Sequence, residues 1–305
     1  IRRPARAGRP EPRGDPMYWI DHTRLCDDIR RQCAHLFTAL GRVDPETPVP
    51  HCPGWDAAHL AAHVHAAFTW AAGLLNSGTA EFRPPHEFLR DIPDDAVDPE
   101  APWPVYVDGL TRAHRKTPLG ERIAGEHTGD PLAESSDALL DALLAGSPDR
   151  PVWTCVGEPW SRFWAAWGAL EAGIHRLDAE AMLGVTPELD RDVAEQLVGF
   201  TLEVVAHPSS TPFFDPRFAR LRKSGERILV RAVGSTGGPG EWLIHLVPSG
   251  PVLLEPGSGR PDVTVEAPGE LLLPLLKRRA PLSAPGVRTT GDGDVMADWL
   301  EHVVS

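Results

Sequence analysis

One stretch limits what this chain can become. From Trp160 the sequence runs Trp-Ser-Arg-Phe-Trp-Ala-Ala-Trp-Gly-Ala-Leu-Glu-Ala-Gly-Ile-His-Arg-Leu-Asp-Ala-Glu-Ala. Apolar residues return every third or fourth place, at Phe163, Trp164, Trp167, Leu170, Ile174, Leu177 and Ala181. That period predicts a helix with much of its circumference buried. Inside it stand Glu171 and His175, four residues apart and so one above the other on a single helix face. A carboxylate and an imidazole in apolar surroundings are costly without partners. Either the two bond each other in a core, or they share a metal ion.

The preceding chain supplies the helices that such a stretch needs. Leu25, Ile29, Cys33, Leu36 and Leu40 lie on one face of an amphipathic helix between Trp19 and Val43. A turn at Asp44–Pro50 and the loop His51-Cys-Pro-Gly-Trp55 lead to Asp56, the expected N-cap of a second helix reaching about Asn76. His59 and His63 share a face of that helix, while His65 points elsewhere. Leu132, Leu139, Leu140 and Leu143 mark a third long helix, stopped by Gly146-Ser-Pro. Four long helices are the arithmetic of a four-helix bundle, whose metal sites are built in the core from facing helices. Glu171 and His175 would then supply two ligands, and the second helix a third from His63 or His59. Residues 77–130, rich in Pro, Asp and Arg, predict only a short helix near Tyr106–His114 within a lid or loop.

After a further helix, Glu188 to about Ala206, and a Pro- and Phe-rich link, the texture changes. Arg227–Val233, Trp242–Val247, Val252–Glu255 and Asp262–Glu266 alternate like half-buried strands. Helices follow at Gly269–Arg279 and Asp292–Val304. The glycines of 234–240 lie between two strands and precede no helix, so they read as a hairpin loop and not a phosphate cradle. The expected class is α+β: an Arg/Pro-rich disordered tail at 1–16, a helical bundle at 17–206 with an insertion at about 80–125, and a small α+β domain at 207–305.

Net charge narrows the partners. At −13 over 305 residues the chain lacks the basic surface of a nucleic-acid binder. No apolar run is long enough to span a bilayer, and the first residues have no apolar core of a signal peptide. Cys26, Cys33, Cys52 and Cys155 are scattered, with no CxxC, which predicts reduced thiols in a cytoplasmic protein and no cysteine among the metal ligands.

Two motifs carry a resemblance. Val49-Pro-His-Cys-Pro-Gly-Trp-Asp-Ala-Ala-His-Leu-Ala-Ala-His63 is similar to the second-helix signature of the mycothiol-dependent maleylpyruvate isomerase family, which belongs to the DinB-like four-helix bundles. Glu171-Ala-Gly-Ile-His-Arg-Leu-Asp-Ala-Glu180 resembles its last-helix signature, and residues 261–294 resemble its sterol-carrier-like C-terminal domain. The resemblance implies metal ligands at His63, Glu171 and His175. It places His59 and Asp178 beside them as supporting residues. It also implies an anion-anchoring arginine at Arg278, with Arg279 next to it as the alternative. Leu177 and Trp167-Gly168 depart from the family pattern and alter the pocket wall.

Two imidazoles and one carboxylate form a catalytic zinc set with an open position. The resemblance puts the sulfur of mycothiol there, deprotonated by a divalent metal, zinc by the type of its donors. The implied activity is S-transfer to, or thiol-assisted isomerisation of, a small electrophile. The alternatives are a maleylpyruvate cis–trans isomerase proper, or a non-catalytic binding protein with a vestigial metal site.

Overall fold

Asp21 opens the first helix of the computed structural model, which describes residues 21–303 apart from 94, 126–128, 158–159, 187, 214–215 and 236–239. The tail expected at 1–16 lies outside the described residues. In chain order come α1 (His22–Leu40), α2 (Ala57–Ser77), α3 (Trp103–Arg115), α4 (Pro118–Ile123), α5 (Gly129–Leu144), α6 (Ser161–Met182) and α7 (Arg191–Ala206). Then follow β1 (Arg227–Ala232), β2 (Glu241–Val247), β3 (Gly250–Leu254), β4 (Val263–Ala267), α8 (Gly269–Leu276), β5 (Arg288–Gly291) and α9 (Gly293–His302).

α1, α2, α5 and α6 close the four-helix bundle, with α1 against α6, α2 against α5, and α1–α5 and α2–α6 completing the ring. The start of α2 is set by a capping box: the Asp56 carboxylate accepts from the His59 amide at 2.9 Å. Such a cap satisfies backbone donors that the first turn leaves open. The α1–α6 seam also carries a polar chain. Buried Arg176 donates to Glu180 and to Gln32, each at 2.9 Å, and Gln32 donates to Asp28 at 3.1 Å.

The segment expected as a lid or loop is folded onto the bundle. A 3-10 turn at Pro85–Phe88, α3 and α4 all pack on α2. Leu89, Val97, Tyr106 and Leu110 form a small core there with Ala66. Each of these short helices has a proline at its first or second position. There the missing N–H is one the helix leaves unpaired anyway, and the fixed φ suits the first turn. Prolines that look like breakers are helix starts. Close approach also needs Gly73, where an added Cβ would stand 2.1 Å from the Phe88 ring. A Gly73→Ala variant is expected to lose about 1–3 kcal/mol through overpacking. Limited proteolysis should cut it sooner between residues 80 and 125 than the parent.

A second tie between α3 and α2 is made by two histidines. His114 Nε2 lies 3.0 Å from His65 Nδ1, one nitrogen donating to the other, and both residues are buried. Burial pushes the pKa of each down to about 4. A histidine in the unfolded chain titrates near 6.5. This pair therefore leaves stability untouched above pH 6.5 and erodes it as pH falls from 6.5 towards 4. The expected loss is about 3 kcal/mol for His114 alone. Chemical denaturation at stepped pH should show the decline, and His114→Phe should flatten it.

The sheet has order β3-β2-β1-β4-β5, with β1 antiparallel to β2 and parallel to β4. Ile228, Val230, Trp242, Ile244, Val263 and Val265 are buried in the main core. The four expected strands are present, and β5 is added; its Arg-Thr-Thr-Gly carries no apolar alternation that could announce it. α7 packs chiefly on α8, and Arg191 forks onto Glu270 at 2.8–3.2 Å. This junction aims the end of α8 at the bundle.

Candidate metal centre

α2 and α6 face each other so that His63, Glu171 and His175 converge. One ligand atom from each lies within 4.8 Å of the others, the one such group among the described residues. His63 Nε2 is 3.6 Å and His175 Nε2 3.3 Å from the same Glu171 oxygen, Oε2. The two rings stand nearly perpendicular, 4.8 Å apart, and Trp55 packs on His63 at 5.0 Å. Trp55 is carried by a tight loop in which Val49 N–H donates to Trp55 O at 3.0 Å and Gly54 takes φ +84°. Only glycine adopts that backbone without strain.

His175 is oriented from behind. Its Nδ1 lies 3.0 Å from Asp178 Oδ2, which leaves Nε2 for the shared point. Asp178 is wholly buried. Arg279 forks onto it from the C-terminal domain, Nε to Oδ1 at 3.0 Å and Nη2 to Oδ2 at 2.7 Å. Burial opposes the Asp178 carboxylate, yet His175 and Arg279 outweigh it and hold the group well below the usual carboxylate range. Glu171 is held low in the same way by the two imidazoles. Burial lowers His63 and keeps it neutral, whereas Asp178 and Glu171 overcome burial at His175 and raise it to about 8. The donor set fits a divalent cation: two ring nitrogens and a carboxylate share one focus, with a carboxylate fixing the tautomer of one ring.

The other expected residues separate. His59 is engaged at the start of α2, its Nδ1 2.7 Å from Asp56 Oδ1, so its contacts are those of a cap rather than of the convergent group. Arg278 is exposed, and its φ of +61° makes it the left-handed turn that ends α8. That turn throws Arg279 back, with its amide donating to Pro274 O at 2.7 Å, and Arg279 is the arginine that reaches the site. The reversal is invisible in sequence, because arginine rarely takes the left-handed cap where glycine is usual.

Two further residues stand at the site that the sequence did not assign to it, although Cys52 falls within the second-helix motif. Lys277 approaches Glu171 and Arg279, and burial brings its pKa down to about 8. Cys52 lies 3.7 Å from Asp178 Oδ2 and accepts from Arg279 at 3.6 Å. Burial, then the Asp178 charge, pushes its thiol up to about 12, so it stays protonated.

Fold and site define a class: a helical bundle in which two imidazoles and a carboxylate converge as a group that could hold a cation, followed by a five-stranded mixed sheet. The matching family model is the mycothiol maleylpyruvate isomerase N-terminal domain, over residues 26–180, and the chain belongs to that family. The fold is similar to a solved mycothiol-dependent maleylpyruvate isomerase, at TM-score 0.55 and 17% identity over 90% of this chain and 95% of that one. It is equally similar to a mutant of a mycothiol-dependent maleylpyruvate isomerase, at TM-score 0.56 and 16% identity over the same shares. At such identity the likeness shows the fold alone. No curated protein matches the chain in sequence. No helix among the described residues is long and apolar enough to cross a membrane.

Proposed function

We propose that the chain is a metal-dependent enzyme that uses mycothiol as the nucleophile toward a small electrophile. The observation that carries this is the convergence of His63, Glu171 and His175 on one point. These three residues would hold the cation, zinc by donor type, and it would supply the charge that deprotonates a thiol at neutral pH. His63 and His175 would each offer Nε2 to the cation, His175 giving up the proton that its neighbouring carboxylates favour in the free site, Glu171 adds the negative charge, and Asp178 accepts from His175 Nδ1 to keep the ring aimed. Arg279 stabilises Asp178 in its ionised form, and Lys277 brings positive charge to the same wall for an anionic group on thiol or substrate. The one nearby protein sulfur, Cys52, is held as a thiol, which supports a nucleophile that arrives from outside.

In the reaction the thiol proton leaves to solvent and a sulfur–carbon bond forms at the electrophilic carbon. In transfer the leaving group departs with its electron pair; in isomerisation the same bond breaks again after rotation. Transfer is the reading we favour, since the chain departs from the family pattern at Leu177 and at Trp167-Gly168 and carries the insertion packed on α2. The four cysteines, all free, suit a cytoplasmic setting. Purified protein incubated with mycothiol and a panel of electrophiles, maleylpyruvate included, should give thiol-dependent products by mass that vanish on chelation. Bound metal without turnover of any of them would make the chain a binding protein instead.

A further inference from the structure

Solvent reaches the inner faces of the two site helices along one narrow strip. On α6, between Phe163 and Glu180, the residues not fully buried are Trp167 and Glu171. On α2, Ala67 is partly exposed between Ala66 and Phe68, which are buried, and it stands one turn above partly exposed His63. The strip is bounded below by the His63–Glu171 contact and above by Trp70 against Trp167, with ring centroids 6.1 Å apart. Seven residues from His63 to Trp70 make this about 10 Å of helix. Ala67 puts only a methyl group on that length and is itself partly exposed.

Its upper end is aromatic. Trp70 also touches Trp103 at 5.6 Å and Trp153 at 6.1 Å. Phe82, 43% exposed, packs on Trp153 at 4.8 Å at the outer edge of the group. Trp103 comes from the insertion and Trp153 from the stretch before α6, so the wall exists only once the insertion has folded onto α2. Ring faces and edges of this kind favour a flat aromatic guest through offset-stacked and edge-to-face contacts.

We infer that this strip is the electrophile subsite, and that it takes the flat body of an aromatic electrophile, with the reactive carbon at its lower end beside His63 and Glu171. The inference rests on the thiol-transfer reading for the chemistry, but the subsite itself can be tested without it. A carbon such as the chlorinated one of 1-chloro-2,4-dinitrobenzene would form the sulfur–carbon bond, chloride would leave with its electron pair, and the thiol proton would go to solvent.

Ala67→Leu fills the strip, and Trp167→Leu removes one aromatic wall. Calorimetric titration of the metal-loaded protein with 1-naphthol, which is not an electrophile, should show binding. Ala67→Leu should weaken it at least tenfold with metal content unchanged. In turnover with mycothiol, the ratio of kcat/KM for 1-chloro-2,4-dinitrobenzene to that for iodoacetamide should fall at least tenfold in both variants, through KM. Absent 1-naphthol binding, or binding equal in Ala67→Leu and parent, overturns the subsite even if thiol-dependent turnover is found. Binding that is lost in Ala67→Leu, with no turnover of any electrophile, leaves the subsite standing and removes the thiol reading.

Discussion

Replacing His63 with alanine is expected to give a folded protein with no bound divalent metal and no mycothiol-dependent turnover. His63 supplies one of three ligand atoms within 4.8 Å of one another, and it is the only one that comes from α2. The pair left on α6, Glu171 and His175, is a single-helix site with no partner across the seam. Structural zinc sites are worth about 10–16 kcal/mol in total, so one of three protein ligands accounts for on the order of 10²–10⁴ in affinity. The fold should survive, because His63 is only partly buried, with 16% of its side chain exposed, and packs on Trp55 outside the apolar core. Metal analysis of the purified variant beside its circular dichroism separates ligand loss from unfolding. Retained metal and retained turnover in His63→Ala would sink the proposed site.

Asp178→Ala is expected to fail differently, in stability as well as metal binding. Asp178 is 0% exposed and joins two charged groups far apart in the chain, His175 on α6 and Arg279 after α8. Its removal leaves the mostly buried guanidinium of Arg279 without its carboxylate, a defect of about 3–5 kcal/mol. In a chain of this size that corresponds to a fall in Tm of roughly 10 °C. His175 also loses the acceptor that fixes its tautomer, worth about 10–100-fold in metal affinity. The double variant Asp178→Leu with Arg279→Met removes the orphaned charge, so it should regain much of the stability while metal affinity stays low. Recovery of both together would show that Asp178 acts on the fold alone.

The site helix was legible because it obeys two local rules at once. Its apolar period fixes which face is inside, and the four-residue spacing of Glu171 and His175 puts both on that face whatever the rest of the chain does. The choice between His59 and His63 was left open by their shared face of α2, and it turned on the resemblance; the capping box, which commits His59 to Asp56 one turn before the site, agrees with it. The insertion was legible only in part: the helix expected near Tyr106–His114 is present within α3, but the 3-10 turn and α4 were hidden because prolines signal both helix breaks and helix starts. Only the apolar surface of α2, met in three dimensions, selects the second.

By itself, then, the amino-acid order determined the four bundle helices, four strands of the mixed sheet, and the acid and imidazole that α6 offers to a metal. These follow from periodicities of 3.6 and 2, which act over a few residues. Tertiary structure alone decided that Arg279 and not Arg278 supports Asp178, that Lys277 and Cys52 stand at the same centre, and that tryptophans from three separate segments line one strip beside it. Each of those depends on a chain reversal or on the packing of segments up to 227 residues apart. No local pattern encodes such a contact, because it is fixed by which surfaces are buried together.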